Sequence, residues 1–418
     1  MFDKELSIFE DLGANLFPFS IQVMGYKNIA WVLKETAKIL PFPKPTLFSG
    51  PGSSIELCRA ISKMGTKKIF IVTDETLVKI GILKNILTAL EENGVAYEIY
   101  DKILPDPTYD QVENGLEILK NTNCDAILAI GGGSPIDAAK VLAARATNDK
   151  SIAQLAGLFK VWNAIMPLYV IPTTAGTGSE ATVAAVVSDP VTHAKTPLMD
   201  PKLVPSMAAL DGELMIGLPA GVTTATGMDA LTHAVEAFIS SNALPDTDRH
   251  SLAAAKLIDE NLREVVKNPG NVQARQNMAL ASYFAGLAFT RAGVGYVHAI
   301  AHNFGALYKT PHGLANAIVL PYVLEFSLDS ASDRLAKLAE TCGLKQNGDS
   351  EIVLAKKFIQ YVIDLKKEFG IPDKLKDLKK EDIPKIAKAA LKEAHFTYAV
   401  PKYMDQTTCE NLVAKMLP

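Results

Sequence analysis

The sequence predicts an α/β domain followed by an all-helical domain. Short apolar runs alternate with helical stretches from about residue 45 to 211, which is typical of parallel β-α-β units. After about Gly212 the strand pattern disappears and long helical periodicity replaces it. With 418 residues the chain is also too long for one ordinary core. We therefore predict an arm over 1–44, an α/β domain over 45–211 and a helical domain over 212–418.

The elements follow in chain order. In the arm, "NIAWVLKETAKIL" has helical spacing and is stopped by the prolines that follow it. Strands are predicted in the apolar runs "KIFIVTD", "AYEIYD", "DAILAIGGG" and "PLYVIPTT". Residues 182–200 are predicted to form a hairpin carried on the same sheet. The long helices include "TDRHSLAAAKLIDENLREVVKN", "ARQNMALASYFAGLAFTRAG" and "SEIVLAKKFIQYVIDLKKEFG".

The composition argues against several classes of protein. Apolar residues make up 48% and charged residues 21% of the chain, as in a globular protein. The net charge is −4 with no basic block, so no nucleic-acid partner is expected. No apolar run approaches the roughly 18 residues needed to cross a bilayer, and the acidic N-terminal stretch does not resemble a signal peptide. Four cysteines, far apart in the chain, suit a reducing cytoplasm.

The strongest phosphate-binding signal is "AIGGGSPIDAAKVLAA". An apolar strand leads into Gly131, Gly132 and Gly133, and a helical stretch follows. Ser134 suits the N-cap and Pro135 the first helical position. Free backbone N–H groups and the positive end of the helix dipole would then face an anion such as a pyrophosphate. An ordinary strand-to-helix turn is the alternative.

Two further features favour a nucleotide. "GTGSEA" matches the G-x-G-x-x-A fingerprint but leads into β-rich sequence, so we interpret it as a ligand-facing loop and not as the first turn of a dinucleotide fold. Asp74 ends a predicted strand, where a carboxylate can accept hydrogen bonds from ribose hydroxyls and repel a 2′-phosphate. A helix cap is the alternative role of Asp74, and the two roles are compatible.

Four of the seven histidines lie in two short segments. Asp229 and His233 form one i, i+4 pair and His298 and His302 another, so each pair shares a helix face, and His312 follows shortly after. Their neighbours are small or apolar, and burying such polar groups is costly unless something binds them. A divalent cation with nitrogen and oxygen ligands would do so. The other three histidines, His193, His250 and His395, are expected on the surface or in loops.

The motifs "GGGSPIDAAK", "PTTAGTGSE", "GMDALTHAVEAF" and "GYVHAIAHNFGALYKTPHGLANAIVLP" resemble the iron-containing (group III) alcohol dehydrogenases from about Pro45 to at least Gly370. The resemblance implies a dehydroquinate-synthase-like fold, with a nucleotide-binding α/β domain, a helical metal-binding domain and a cleft between them. It implies NAD(P)-linked interconversion of alcohols and aldehydes at one divalent metal, and a homodimer by analogy. It favours iron, although the site type also accepts Zn²⁺, Co²⁺ or Ni²⁺.

The resemblance also implies roles for individual residues. Metal ligands fall on Asp229, His233, His298 and His312. His302 matches a further active-site histidine, which does not bind the metal directly and passes a proton. Cofactor contacts map to a larger set: Asp74, Gly132, Gly133, Ser134, Asp137, Lys140, Thr173, Thr174, Thr177 and Lys195. With Asp74, we expect NAD to be preferred to NADP.

Departures from the family concern the substrate and cofactor contacts. The arm has no counterpart in typical members, and "HFTYAVPKYMD" stands where Asn-Pro-Arg is usual. Asp106 and Arg291 each stand where an Asn is frequent. Arg291 precedes His298 by seven residues and would share its face if the helix is continuous; the alternative is that it meets solvent or pairs with an acid.

The expected function is metal-dependent, NAD-linked oxidation of a primary alcohol or small polyol, or reduction of the aldehyde. The principal alternative on the same fold is a dehydroquinate-synthase-like lyase that uses NAD transiently. A lyase of that kind needs more Lys and Arg around the metal than the sequence offers. A non-redox metal protein is a third reading, but it leaves the glycine-rich turn and Asp74 unexplained.

Overall fold

The computed structural model describes residues 18–39, 42–191 and 195–418. Their strands are β1 (Thr46–Ser49), β2 (Lys68–Val72), β3 (Ala96–Tyr100), β4 (Ala126–Gly131), β5 (Gly157–Leu158), β6 (Leu168–Pro172), β7 (Ala184–Ser188), β8 (Lys195–Met199) and β9 (Met207–Leu210). Helices up to β6 are α1 (Phe19–Ile39), α2 (Ser53–Lys63), α3 (Glu75–Lys79), α4 (Lys84–Glu92), α5 (Tyr109–Thr122), α6 (Gly133–Thr147) and α7 (Ile152–Leu155).

Beyond β9 the described chain is helical. The helices there are α8 (Ala220–Ile239), α9 (Pro245–Lys267), α10 (Val272–Ala292), α11 (Tyr296–Tyr308), α12 (His312–Ser327), α13 (Ser332–Thr341), α14 (Glu351–Glu368), α15 (Ile383–Thr397) and α16 (Gln406–Ala414). The structure therefore confirms the predicted fold class, an α/β region followed by an all-helical region. No helix among the described residues is both long and apolar enough to cross a membrane.

The chain divides into two compact units. One contains Pro41–Val235 and Arg249–Thr290; the other contains the described residues of Met1–Leu40 with Glu236–Asp248 and Arg291–Pro418. All the described strands lie in the first of these units. The boundaries predicted from the sequence, at 44/45 and 211/212, stay a prediction.

A six-stranded sheet in the order β1-β9-β6-β4-β2-β3 forms the centre of the first unit. Its paired strands are all parallel. β4 is buried along its whole length, because Ile127 and Ala129 pack on one side with α5 and α6 while Leu128 and Ile130 pack on the other with α2 and α4. Burial on both faces explains why its sequence is a continuous apolar run and not an alternating one.

Two details of the predicted sheet were wrong or missing. The hairpin over 182–200 does form, as antiparallel β7 and β8, but with β5 it makes a separate three-stranded sheet. β1 and β9 were not predicted. Each has only four residues, and "TLFS" and "MAAL" lack the β-branched pattern by which strands are recognised.

The arm helix α1 belongs to the second unit and packs on its C-terminal helices. It begins nine residues earlier than the predicted start at residue 28. Tyr26 lies against the rings of His395, Phe396 and Tyr403 at centroid distances of 4.6, 5.2 and 5.6 Å. Lys34 Nζ donates to the carbonyl of Ser241 at 2.7 Å. Aromatic contacts of this kind fix the arm to a defined surface.

The expectation of a surface or loop position was wrong for His395. His395 is buried inside α15, where burial lowers its pKa to about 4, and its Nε2 lies 3.0 Å from the Tyr296 hydroxyl. His250 lies in α9 and stacks on Phe284. Both are helix residues with aromatic partners, but His250 is partly exposed, so a surface position is not contradicted for it. His193 lies outside the described residues.

Two glycines allow the backbone after β6 to touch α10. Gly178 has φ +61°, and a Cβ there would lie 2.7 Å from the carbonyl oxygen of Ser282. On the facing helix, a Cβ on Gly286 would lie 2.6 Å from the carbonyl oxygen of Gly178. Neither obstacle is a flexible side chain, so only glycine permits this approach at both positions.

We predict that Gly286→Ala destabilises the protein although alanine favours helices. The gain in helix propensity is about 0.5–1 kcal/mol, whereas a methyl group forced into a packed backbone costs about 1–3 kcal/mol. Gly25→Ala in α1 is the matched control, because nothing lies within 4 Å of its added Cβ. Thermal denaturation should show a lower Tm for Gly286→Ala and an unchanged or higher Tm for Gly25→Ala. Equal Tm shifts in the two variants would contradict the close approach.

Candidate metal centre and cofactor-binding edge

The predicted nucleotide residues lie along one edge of the six-stranded sheet. β2, β4 and β6 are adjacent and parallel, so their carboxyl ends meet at that edge. Asp74 follows β2, the three glycines end β4 and begin α6, and Thr173 follows β6. The chain order reverses between β2 and β4, and ligands of open α/β sheets bind at such a switch point. The topology therefore supports a nucleotide-binding site at this edge.

The glycines bring the first turn of α6 against the loop after β6. A Cβ on Gly132 would lie 3.1 Å from Thr174 Oγ1, and one on Gly133 would lie 2.7 Å from Thr177 Cγ2. The predicted cap is wrong, because the N-cap is Gly132 and Ser134 is the second helical residue. The helix starts earlier than predicted because the glycine turn itself supplies its first residues. The free N–H groups of that turn still face this edge.

The loop after β6 is not the start of a long helix. Thr173 N donates to the Gly131 carbonyl at 2.9 Å, and a short 3₁₀ turn over Ser179–Ala181 leads into β7. "GTGSEA" therefore does not begin a long helix, as predicted, and it lies against the glycine turn; that it faces a ligand stays a prediction. Thr174 and Thr177 lie on it beside the first turn of α6, in position to offer hydroxyls to a ligand.

Asp137 and Lys140 hold the segment that follows this loop. Asp137 accepts from Ser179 Oγ at 2.5 Å and from Val186 N at 2.9 Å. Lys140 is fully buried, and its ammonium group donates to Thr182 O, Thr182 Oγ1 and Ala184 O at 2.7–2.9 Å. Three acceptors use all three ammonium hydrogens. This geometry favours an indirect role for Lys140, in which it positions the loop and does not contact the cofactor.

Asp74 is a helix cap in the structure. Its Oδ1 accepts from Leu77 N at 3.0 Å at the start of α3, and its side chain remains partly exposed. The backbone of Asp74 forms an isolated β-bridge with that of Lys102. The Nζ atom of Lys102 forms an ion pair with Asp101 at 2.9 Å. Lys195 forms an ion pair of 3.0 Å with Asp106, which has a left-handed backbone at φ 54°. Cofactor contacts by Asp74 and Lys195 stay predictions.

Two of the predicted metal ligands lie in α8. Asp229 and His233 are 2% and 4% exposed. His233 Nδ1 lies 3.3 Å from the Gly176 carbonyl, and its ring stacks on Phe289 at 4.3 Å. A carbonyl oxygen can only accept, so Nδ1 carries the proton and Nε2 presents its lone pair. This is the tautomer that a metal ligand requires.

The other two lie in α11 and α12. His298 is 3% exposed, and its Nδ1 lies 2.5 Å from Glu236 Oε2, while Val297 N donates to Glu236 Oε1 at 2.8 Å. The Nε2 atoms of His298 and His312 each lie 3.1 Å from Asn316 Nδ2, which is a donor. Each Nε2 atom therefore accepts a hydrogen bond from Asn316 and carries a lone pair instead of a proton.

The four side chains converge on a common point. Asp229, His233, His298 and His312 each offer one ligand atom, and these atoms lie within 4.8 Å of one another. Three imidazole lone pairs and one carboxylate oxygen fit a divalent transition metal. The carbonyl and carboxylate behind His233 and His298 are the outer contacts that orient such ligands. The residues present therefore fit the group that the sequence predicted.

His302 is adjacent to this set but has a different partner. Its ring centroid lies 6.0 Å from that of His298 and 5.4 Å from that of His312, and its Nδ1 lies 2.8 Å from Glu393 Oε1. The ligand set does not include it, which agrees with the non-ligand role that the resemblance implies.

Arg291 does not share a continuous helix with His298. α10 ends at Ala292 and α11 begins only at Tyr296. Arg291 instead forms an ion pair with Asp246. The condition under which it would face the metal is not met, and the structure supports the alternative that it pairs with an acid.

Four residues of this site were not predicted from the sequence: Glu236, Asn316, Glu393 and Tyr398. Glu236 is three residues after His233 and Asn316 is four after His312, so their helical spacing was a usable signal. Glu393 is 91 residues from His302, and no local pattern connects the two.

The chain matches two sequence models that together span most of its length. Residues 44–212 match the model described as "Iron-containing alcohol dehydrogenase". Residues 223–417 match the model described as "Fe-containing alcohol dehydrogenase family, C-terminal". With the metal-ligand set and the parallel-sheet edge in place, these matches define an oxidoreductase of the alcohol dehydrogenase type. The chain belongs to the iron-containing alcohol dehydrogenase family.

Individual relatives agree with this assignment. The chain is 40% identical over 354 residues to the NAD-dependent methanol dehydrogenase of Bacillus methanolicus, covering 84% of this chain and 93% of that one. It is 41% identical over 352 residues to a 1,3-propanediol dehydrogenase of Klebsiella pneumoniae, covering 83% and 91%. The crystal structure of a 1,3-propanediol oxidoreductase superposes with a TM-score of 0.88 at 38% identity, covering 91% of this chain and 100% of that one. These relatives are dehydrogenases, and none of them is named as a lyase.

We predict that Glu236→Gln weakens metal retention. The amide keeps the volume of the side chain but removes the charge that the Nδ1–H of His298 meets, and loss of such outer contacts typically costs 10–100-fold in metal affinity or activity. Competition with a chromophoric chelator measures the Kd for Zn²⁺. Glu260→Gln, on the exposed side of α9 with an ion pair to Lys256, is the control and should leave the Kd unchanged. The same Kd in both variants would show that Glu236 does not support His298.

Proposed function

We propose that the protein is a metal-dependent, NAD-linked alcohol dehydrogenase that also reduces aldehydes, with a primary alcohol or a small diol or polyol as substrate. One observation carries the proposal: three imidazole nitrogens and one carboxylate oxygen converge within 4.8 Å. The dehydrogenase names of the relatives support the reaction, and methanol and 1,3-propanediol in those names support small primary alcohols.

The chemistry divides between bound groups and residues. When bound, the cation supplies Lewis acidity toward the substrate oxygen, and the nicotinamide exchanges the hydride. Asp229, His233, His298 and His312 hold the cation, with each histidine tautomer set as described above. His302, beside them but outside the ligand set, takes the proton from the alcohol and returns it in the reverse direction. Its Nε2 is the nitrogen that remains available.

The cofactor is NAD, held at the carboxyl edge of the parallel sheet. Gly132 and Gly133 let Thr174 and Thr177 approach the first turn of α6 closely, so that the threonine hydroxyls and the N–H groups of that turn can bind a pyrophosphate together. The resemblance adds Ser134, Thr173 and Lys195. Asp74 would accept hydrogen bonds from the adenosine ribose. The word NAD-dependent in the name of the methanol dehydrogenase supports this choice.

Further parts of the proposal follow from the family. We infer iron as the metal, with zinc as the alternative for the same ligands. We also infer a homodimer, a cytoplasmic location, and functional boundaries near residues 44 and 211. An absorbance increase at 340 nm with NAD and a panel of alcohols, together with metal analysis of the same preparation, tests the reaction and the metal at once. A preparation fully active without metal would overturn the proposal.

We predict that His298→Ala abolishes turnover while NAD binding persists. Loss of one of four ligands empties the site, whereas the sheet edge that binds the nucleotide is not altered. Calorimetric titration with NAD and metal analysis separate the two effects. His302→Ala is the paired variant, and it should keep the metal but lower kcat. If His302→Ala empties the site instead, His302 is a ligand and one of the four assignments is wrong.

We predict that the protein prefers NAD to NADP by at least about 10-fold in kcat/KM, because one lost hydrogen bond to a charged group is worth roughly 1.5–3 kcal/mol and 1.4 kcal/mol is a factor of ten. Asp74→Ser should reduce this preference. Serine is also a good N-cap, so the substitution removes the carboxylate while it keeps the start of α3 satisfied.

Asp74→Ala is the control for that experiment. It loses the cap as well as the charge, so its Tm should fall while its cofactor ratio matches that of Asp74→Ser. Equal use of NAD and NADP by the unmodified protein would show that Asp74 acts only as a helix cap.

A further inference from the structure

Two residues near the C-terminus, Glu393 in α15 and Tyr398 just after it, form a hydrogen-bonded chain with His302. Its Nδ1 lies 2.8 Å from Glu393 Oε1, and the hydroxyl of Tyr398 donates to the same oxygen at 2.5 Å. The side chains of His302 and Glu393 are 25% and 30% exposed. The three groups thus form a continuous chain of hydrogen bonds that ends beside the metal-ligand set.

The direction of these bonds follows from the groups involved. A carboxylate oxygen only accepts, so Nδ1 of His302 carries the proton and Nε2 is the basic nitrogen. Tyr398 must be the donor in the second bond. Its pKa is raised well above 10 by burial and by the charge of Glu393, so it remains a phenol at working pH. Two donors on one carboxylate oxygen hold Glu393 in a single orientation.

The ring of His302 also contacts two neighbouring imidazole rings. It stacks on His312 with an interplanar angle of 16° and meets His298 edge-on at 72°. These contacts define the ring plane, but they do not decide which nitrogen bears the proton. Only the hydrogen bond to Glu393 does so among the contacts described for this ring.

Tyr398 comes from the segment that the family resemblance marked as a departure. "HFTYAVPKYMD" stands where Asn-Pro-Arg is usual, and Tyr398 follows the last residue of α15. Its backbone N donates to Ala394 O at 2.9 Å. Further along, Met404 N donates to the Tyr296 hydroxyl at 3.1 Å, and Met404 O accepts from His395 Nε2 at 3.2 Å. The segment is therefore anchored on both sides of Tyr398.

We propose that Glu393 and Tyr398 are positioning residues that hold His302 as the Nδ1–H tautomer, with Nε2 directed to accept the substrate proton. The proposal rests on the function proposed above for the site. In this chain, Glu393 of α15 and Tyr398, which follows that helix, support the proton-transferring histidine, while Glu236 supports the metal-binding one.

Steady-state kinetics of four variants test the proposal. Glu393→Leu removes the acceptor and should lower kcat about 10–100-fold, the usual effect of losing such an outer contact. Glu393→Gln keeps an acceptor oxygen and should recover most of that loss. Tyr398→Phe should lower kcat by a smaller factor. Tyr97→Phe is the control, because its hydroxyl also donates to a glutamate, Glu91, at 2.7 Å and it should behave like the unmodified protein.

The KM for the alcohol and the metal content should stay within about two-fold in all four variants, because the substitutions alter the tautomer of a non-ligand. A loss of metal that parallels the loss of kcat would overturn the proposal, since Glu393 would then support the metal site as a whole. Unchanged kcat in Glu393→Leu would also overturn it.

A spectroscopic measurement is independent of turnover. In the zinc-loaded protein labelled with ¹⁵N-histidine, His302 should show the Nδ1–H tautomer, and Glu393→Leu should convert that signal to the Nε2–H form or to a mixture. His302→Ala assigns the signal. A His302 that is already Nε2–H in the unmodified protein would refute the proposal. If the protein lacked dehydrogenase activity but showed the expected tautomer change, the proposed function would fail and the positioning by Glu393 would stand.

Discussion

The segment from Thr173 to Gly178 is the constraint on which the functional part of the first unit depends. Its threonines lie against the glycine turn of α6, and its Gly176 carbonyl sets the tautomer of His233. Gly178 lies on the backbone of α10, where no side chain fits. One short loop therefore connects the predicted nucleotide-binding edge with His233, a proposed metal ligand. Asp137 and Lys140 hold the residues that follow it, so α6 braces the loop from the other side.

In three of the histidines, the hydrogen-bond acceptor at Nδ1 determines which ring nitrogen carries the proton. His233 has a carbonyl at Nδ1, His298 has Glu236 and His302 has Glu393. A carbonyl and two carboxylates are all acceptors, so the three rings present Nε2 for chemistry. All three acceptors are distant in the sequence, at separations of 57, 62 and 91 residues from the histidine that each one contacts. The sequence motifs that predict the metal ligands therefore do not identify the acceptors that orient the histidine rings.

Sequence reasoning succeeded where the signal was local. Buried parallel strands read as apolar runs, and i, i+4 pairs placed Asp229 with His233 and His298 with His302 on shared faces. It failed where structure came from distant contacts or weak patterns. β1 and β9 are short strands that pair with each other, His395 packs against Tyr26 of α1 and against Tyr403, and Glu393 meets His302 across 91 residues. Ser134 was misplaced because the glycines themselves begin the helix.

The contact between Gly178 and Gly286 also bears on how a nucleotide would be bound. Backbone pressed against backbone leaves the loop little freedom to rearrange, and its threonines already lie beside the first turn of α6. Binding of a ligand to this surface would order few protein side chains and no long loop. The loss of conformational entropy on binding would therefore be small. The loop is preorganised, and we expect nucleotide association to resemble docking to a rigid body more than closure of a lid.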